Sequence, residues 1–185
     1  MQKLLSIAAR IDRLNERIGR FACWLTLLMV LVGSYNAIAR YAGRAWGMNL
    51  TTNALLEVQW YLFSAVFLLG AAYTLRRNAH VRVDVLFGRL SPRTQAWIEL
   101  LGTLLFLIPF CLVMLWVSWA PVRNSWAILE MSPDPGGLPR YPIKTLIPIA
   151  FSLLLLQGLS DAVKQWAFLK GRLQASMDDY QPGET

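Results

Sequence analysis

Four stretches of this chain contain no Asp, Glu, Lys, Arg or His: residues 21–39, 58–75, 100–122 and 145–160. An α-helix rises 1.5 Å per residue, so about 20 such residues cross the roughly 30 Å hydrocarbon core of a bilayer. The first three runs reach or approach that length. The fourth extends past Asp161 through Ala162 and Val163, with Lys164 able to snorkel to the interface. The chain is therefore predicted to be all-α and integral to a membrane, with four transmembrane helices at about 21–39, 58–75, 100–122 and 145–163. Composition agrees: the 185 residues are 56% hydrophobic and 16% charged, whereas soluble domains carry about 25% charged residues.

The net charge of +7 does not form a nucleic-acid face, because the basic residues sit in short flanks around the uncharged runs. Thirteen of the Lys and Arg residues fall in the N-terminal segment, the second loop and the C-terminal segment, and five fall in the other two loops. The positive-inside rule then predicts that both termini are cytoplasmic. Within residues 1–20, Leu4, Ala8, Ile11, Leu14 and Ile18 recur at spacings of three and four, with Lys3, Arg10, Arg13, Arg17 and Arg20 mostly on other faces. This pattern predicts an amphipathic helix lying along the inner surface, ahead of a membrane domain over 21–165 and a polar cytoplasmic tail over 166–185. Ala37-Ile38-Ala39 resembles a signal cleavage site, but the preceding apolar run exceeds a signal core, so an uncleaved first span is expected.

Proton relays and substrate counter-ions need ionisable groups within the membrane, and the four runs carry none. Their polar residues, such as Asn36, Gln59 and Gln157, are expected to bond across helices or back to carbonyls. No catalytic triad, phosphate loop or metal-ligand spacing occurs, so neither enzymatic activity nor a cofactor is expected. Cys23 and Cys111 lie in apolar runs, and the one histidine, His80, lies outside the spans, which disfavours a haem anchor. Pro109 should bend the third span. The loop over 123–144, with Pro133, Pro135, Pro139, Pro142 and Gly136-Gly137, should be an extended, irregular connection.

The segment Glu57-Val58-Gln59-Trp60-Tyr61-Leu62-Phe63, then Gly70-Ala71-Ala72-Tyr73, then Arg76-Arg77-Asn78-Ala79-His80-Val81-Arg82-Val83-Asp84-Val85-Leu86 and Leu90-Ser91-Pro92-Arg93, resembles the small membrane subunit of tripartite ATP-independent periplasmic (TRAP) transporters. The loop from Glu130 through Ser132-Pro133-Asp134-Pro135-Gly136-Gly137-Leu138-Pro139 to Pro142 is similar to the same family, and the likeness covers about residues 20–165. It implies a four-helix scaffold beside a large membrane subunit holding the solute and sodium sites, served by a periplasmic substrate-binding protein, with organic acids as cargo. A stand-alone homo-oligomeric transporter or channel is the alternative.

Five residues are candidates for partner contact or topology: Glu57, Trp60, His80, Arg82 and Asp84. For His80-Val81-Arg82-Val83-Asp84 two readings stand. In one, the loop dips into the interface and Arg82 meets lipid phosphate; in the other, Arg82 and Asp84 fix the turn and dock the large subunit. Glu57 either caps the second helix or contacts a partner. Trp60 and Tyr61 suit the interfacial aromatic belt.

Overall fold

The structure, a computed structural model, describes residues 2–48, 50–78 and 90–171. Its long helices are α1 (Gln2–Trp46), α2 (Asn53–Arg76), α3 (Pro92–Ala127) and α4 (Tyr141–Leu169), all four long and apolar enough to cross a membrane. Local chemistry sets their ends. Thr52 caps α2 by accepting the Leu55 N–H, and Ser91 caps α3 by accepting the Thr94 N–H, with Pro92 in the first turn where its missing donor costs nothing. At the end of α3, the Glu130 N–H reaches the Ser125 carbonyl and the Leu129 N–H reaches the Trp126 carbonyl. This is a Schellman closure, and it holds Leu129 at φ +47° where glycine is usual.

The segment over 1–20 is helical, but from Gln2 onward it is continuous with the first span. α1 runs 45 residues without a break, about 68 Å, which exceeds the thickness of a bilayer. The face it packs against other helices is distinct from the apolar stripe read by period. Ala8, Asn15, Glu16 and Gly19 are buried, whereas Leu4 and Leu14 are exposed.

Two polar levels bound the α1–α2 pair. On the N-terminal side Glu16 pairs with Arg76 and Arg77; on the opposite side Asn36 Nδ2 donates to the Leu55 carbonyl. Glu16 and Asn36 lie twenty residues apart on α1, and Leu55 and Arg76 lie twenty-one apart on α2. Both intervals come to about 30 Å, one hydrocarbon thickness.

Between those levels the helices approach through small residues. Eight of the twelve buried apolar residues among those described are alanines, and the large apolar side chains mostly point outward. That is the packing expected where lipid, not water, surrounds the helices. The Tyr73 ring lies directly over Gly19, and Leu107 lies over Gly158. α4 is the hub, packing on α1, α2 and α3; α1 also pairs with α2, while α3 is packed along α4. Phe110 meets Phe151 edge to face across the α3–α4 contact, with 5.8 Å between centroids. Thr26, Ser64, Thr74 and Ser152 each donate to the carbonyl four residues back, which satisfies their hydroxyls without a partner helix.

Ahead of Pro109, where a bend is expected, the helix carries a π-helical turn over Thr103–Leu107, in which the Ile108 N–H reaches back to the Thr103 carbonyl. Pro109 supplies no N–H, and its ring would crowd the carbonyl four residues earlier; the wider turn relieves that clash.

Candidate functional site

Two polar latches hold the helices together, one at each end of the α1–α2 pair. At the end opposite the N-terminus, the connection from α3 to α4 folds back onto α2. Met131 and Pro139 form an antiparallel bridge, the Ser132 N–H donates to the Leu138 carbonyl at 3.1 Å, and the Arg140 N–H donates to the Glu130 carbonyl at 2.8 Å. The segment predicted to be irregular is thus an ordered, hairpin-like loop. Composition announced its turns at Asp134–Gly137 but not the anchor that closes it.

That anchor is Glu57. It is only 2% exposed, and its carboxylate accepts from the Ser132 hydroxyl and the Leu138 N–H. The cap of α2 belongs to Thr52, so the Glu57 carboxylate is left for the loop. The approach is close: a Cβ added at Gly137 would lie 2.8 Å from Glu57 Oε2. Asn53 Nδ2 donates to the Pro135 carbonyl at 3.0 Å, and the Tyr61 hydroxyl donates to the Pro139 carbonyl at 3.2 Å. On the α3–α4 side, Trp126 Nε1 donates to Thr145 Oγ1 at 2.8 Å, and Lys144 pairs with Glu130. The Lys144 ammonium, donating to Glu130, holds that carboxyl below the ordinary glutamate range.

Trp60 stands one turn further along α2, 48% exposed and edge-on to Tyr61. It lies on an outward face, with Phe63 and Phe67 exposed beyond it. His80, Arg82 and Asp84 lie outside the described residues.

The latch at the N-terminal end is built on Gln157, which does bond across helices, and on Lys164, which meets carboxylates on α1 and α4. Its other members, Asp12, Asn15 and Ser160, are not singled out by the sequence pattern. Asn15 Nδ2 donates to Gln157 Oε1 at 2.7 Å, and Gln157 Nε2 donates to Asp12 at 3.1 Å and Asp161 at 3.0 Å. Ser160 donates to Asp12 at 2.9 Å, and Lys164 pairs with Asp12 at 2.6 Å and with Asp161 at 3.3 Å. Beside it, Glu16 gathers Arg20, Arg76 and Arg77. A half-buried carboxylate is tolerated when an opposite charge and further donors satisfy its oxygens, and Asp12 has Lys164, Gln157 and Ser160. Gln165 on α4 also donates to Glu99 on α3. The sequence did contain a signal: Asp12 and Glu16 stand four apart on α1, off the arginine face, so they share a side with each other and not with the cations.

The latches can clamp helices in register. No three His, Cys, Asp or Glu side chains come together as a metal site among the described residues. Comparison with known proteins gives one finding of family: the family model described as tripartite ATP-independent periplasmic transporters, DctQ component, matches residues 29–168. Neither the curated proteins nor the solved structures contain a match. The matched segment takes in all of α2 and α3, α4 short of its last residue, and the whole of the latch built on Glu57.

Proposed function

Since the chain belongs to the DctQ component family of tripartite ATP-independent periplasmic transporters, we propose that it is the small, non-catalytic scaffold subunit of a secondary, sodium-coupled transporter importing an organic acid. In this reading a large membrane subunit holds the solute and sodium sites, and a periplasmic binding protein delivers the solute. The family match over residues 29–168 is the observation that carries it. The charge-free middle of every span supports the same division of labour, because a solute or proton path wholly within this chain would need ionisable groups there.

The proposed setting is the bacterial inner membrane, with both termini cytoplasmic, residues 1–20 at the interface, 21–165 as the membrane domain and 166–185 as a polar cytoplasmic tail. The thirteen-to-five split of basic residues supports that orientation. Glu57 then holds the periplasmic loop in shape, Trp60 offers an outward aromatic contact, and His80, Arg82 and Asp84 join the second and third spans and dock the large subunit.

Extraction of the chain from its native membrane in mild detergent, followed by identification of every co-purifying protein, tests the proposal. A large polytopic membrane protein in near-equal amount is the expected result. Recovery of the chain alone as a stable homo-oligomer that moves solute by itself would overturn it in favour of a stand-alone transporter.

A further inference from the structure

The N-terminal half of α1 has three sectors, not two. At 3.6 residues per turn, Ala8, Asp12, Asn15, Glu16 and Gly19 fall within about 100° and face α2 and α4. Arg10, Arg13, Arg17 and Arg20 occupy the next arc of about 80°, and all four are exposed. Leu4, Ile7, Leu14 and Phe21 fill the remaining arc, also exposed. The latch fixes the rotation of the helix, so neither outer sector can turn inward.

We propose that the arginine sector and the neighbouring part of the apolar sector together form a binding surface for anionic phospholipid, with the arginines on headgroup phosphates and Leu14 and Phe21 against the acyl chains. Depth is the first argument. Glu16 marks one edge of the 30 Å interval; Arg17 and Arg20 lie about 1.5 and 6 Å inside it, within snorkelling reach of the interface, and Arg13 and Arg10 lie about 4.5 and 9 Å outside it along the axis. That range brackets the headgroup layer, which adds about 5–7 Å on each side of the hydrocarbon. Charge is the second. Arg20 reaches Glu16, but Arg10 and Arg17 have no carboxylate partner among the described residues. The apolar sector is the third: Leu14 and Phe21, both exposed, lie about 3 Å outside and about 8 Å inside the same edge, so a lipid seated there covers arginines and apolar side chains at once, which an acidic soluble partner does not. This inference requires only that the helices cross a membrane, and it stands apart from the choice of transport partner.

The full chain, purified in mild detergent and offered an equal mixture of phosphatidylglycerol and phosphatidylcholine, is assayed for retained lipid by native mass spectrometry. Wild type is expected to retain phosphatidylglycerol preferentially, and R10Q/R13Q/R17Q to lose at least roughly tenfold of that preference. This triple variant leaves Arg20, Glu16 and Asp12 intact, and glutamine keeps helix propensity. If it is not recovered folded, R10Q/R17Q removes only the two guanidiniums without a carboxylate partner and is expected to lose at least about threefold. R40Q/R44Q, at the opposite end of α1, is expected to change nothing. Equal retention of the two lipids by wild type, an unchanged preference in the arginine variants, or an equal loss in R40Q/R44Q would each overturn the proposal.

Discussion

Asn15 and Gln157 are separated by 142 residues of chain, and the amide of the first donates to the amide oxygen of the second at 2.7 Å. Asn15 is 1% exposed and Gln157 0%, so this bond sets the register of α1 against α4 where neither side chain can turn to water. Removing one partner strands the other. Gln157→Leu is expected to destabilise the folded chain by about 1–3 kcal/mol, and Asn15→Leu by a similar amount. The pair N15L/Q157L should cost less than the sum of the singles, because no amide is then left facing a missing partner. Reversible unfolding in mixed micelles measures all three; strict additivity would mean that the two amides act independently.

Glu57 closes the loop over 128–140 from a distant part of the chain. Glu57→Ala is expected to speed amide exchange at Leu138 by at least about tenfold while leaving the centre of α2 protected. Glu57→Gln, which retains one acceptor oxygen, should fall between. Unchanged exchange at Leu138 in Glu57→Ala would show that the Met131–Pro139 bridge holds the loop unaided.

Acid should loosen the same end of the protein through Glu130. Its folded pKa is lowered by the Lys144 hydrogen bond, so its contribution is fully present above the ordinary glutamate pKa of about 4.3 and is lost as pH falls through the lower folded value. The melting temperature of wild type should therefore approach that of Glu130→Gln as pH drops toward that lower value, with the gap widest near neutrality. A gap that stays constant with pH would exclude this ion pair as its source.

Leu129 occupies a left-handed backbone position, φ +47°, and is 60% exposed. Leu129→Gly removes the conflict between its Cβ and the backbone and should stabilise the chain by about 0.5–1 kcal/mol in detergent. A destabilised variant would show that the leucine side chain contributes more through contact than its backbone costs.

The spans were legible because hydropathy reports depth in a membrane directly. Helix ends were less so: the charge-free criterion marks where hydrocarbon ends, and α1 continues helical for 19 residues before its charge-free run begins. The side of that segment that packs on other helices was not legible, because it is small and polar where the apolar period points elsewhere: Ala8, Asn15 and Gly19 make the contact, while Leu4 and Leu14 stay exposed. Both latches join residues far apart in sequence, Glu57 with Leu138 and Asp12 with Lys164, and no local pattern specifies such pairs.

The π-helical turn over Thr103–Leu107 has a geometric consequence for α3. Each such turn carries one residue more than an α-helical path of the same reach, which advances the following side chains by about 100° around the axis. The two halves of the span are thus out of phase with one another. Glu99, before the turn, meets Gln165, and Phe110, after it, meets Phe151; eleven residues of regular helix would set those two positions only about 20° apart, and the extra residue sets them about 80° apart. One inserted residue lets a single rod follow the surface of α4 as though it had been twisted, and deleting any one residue between 103 and 107 would swing one half of the rod off that surface.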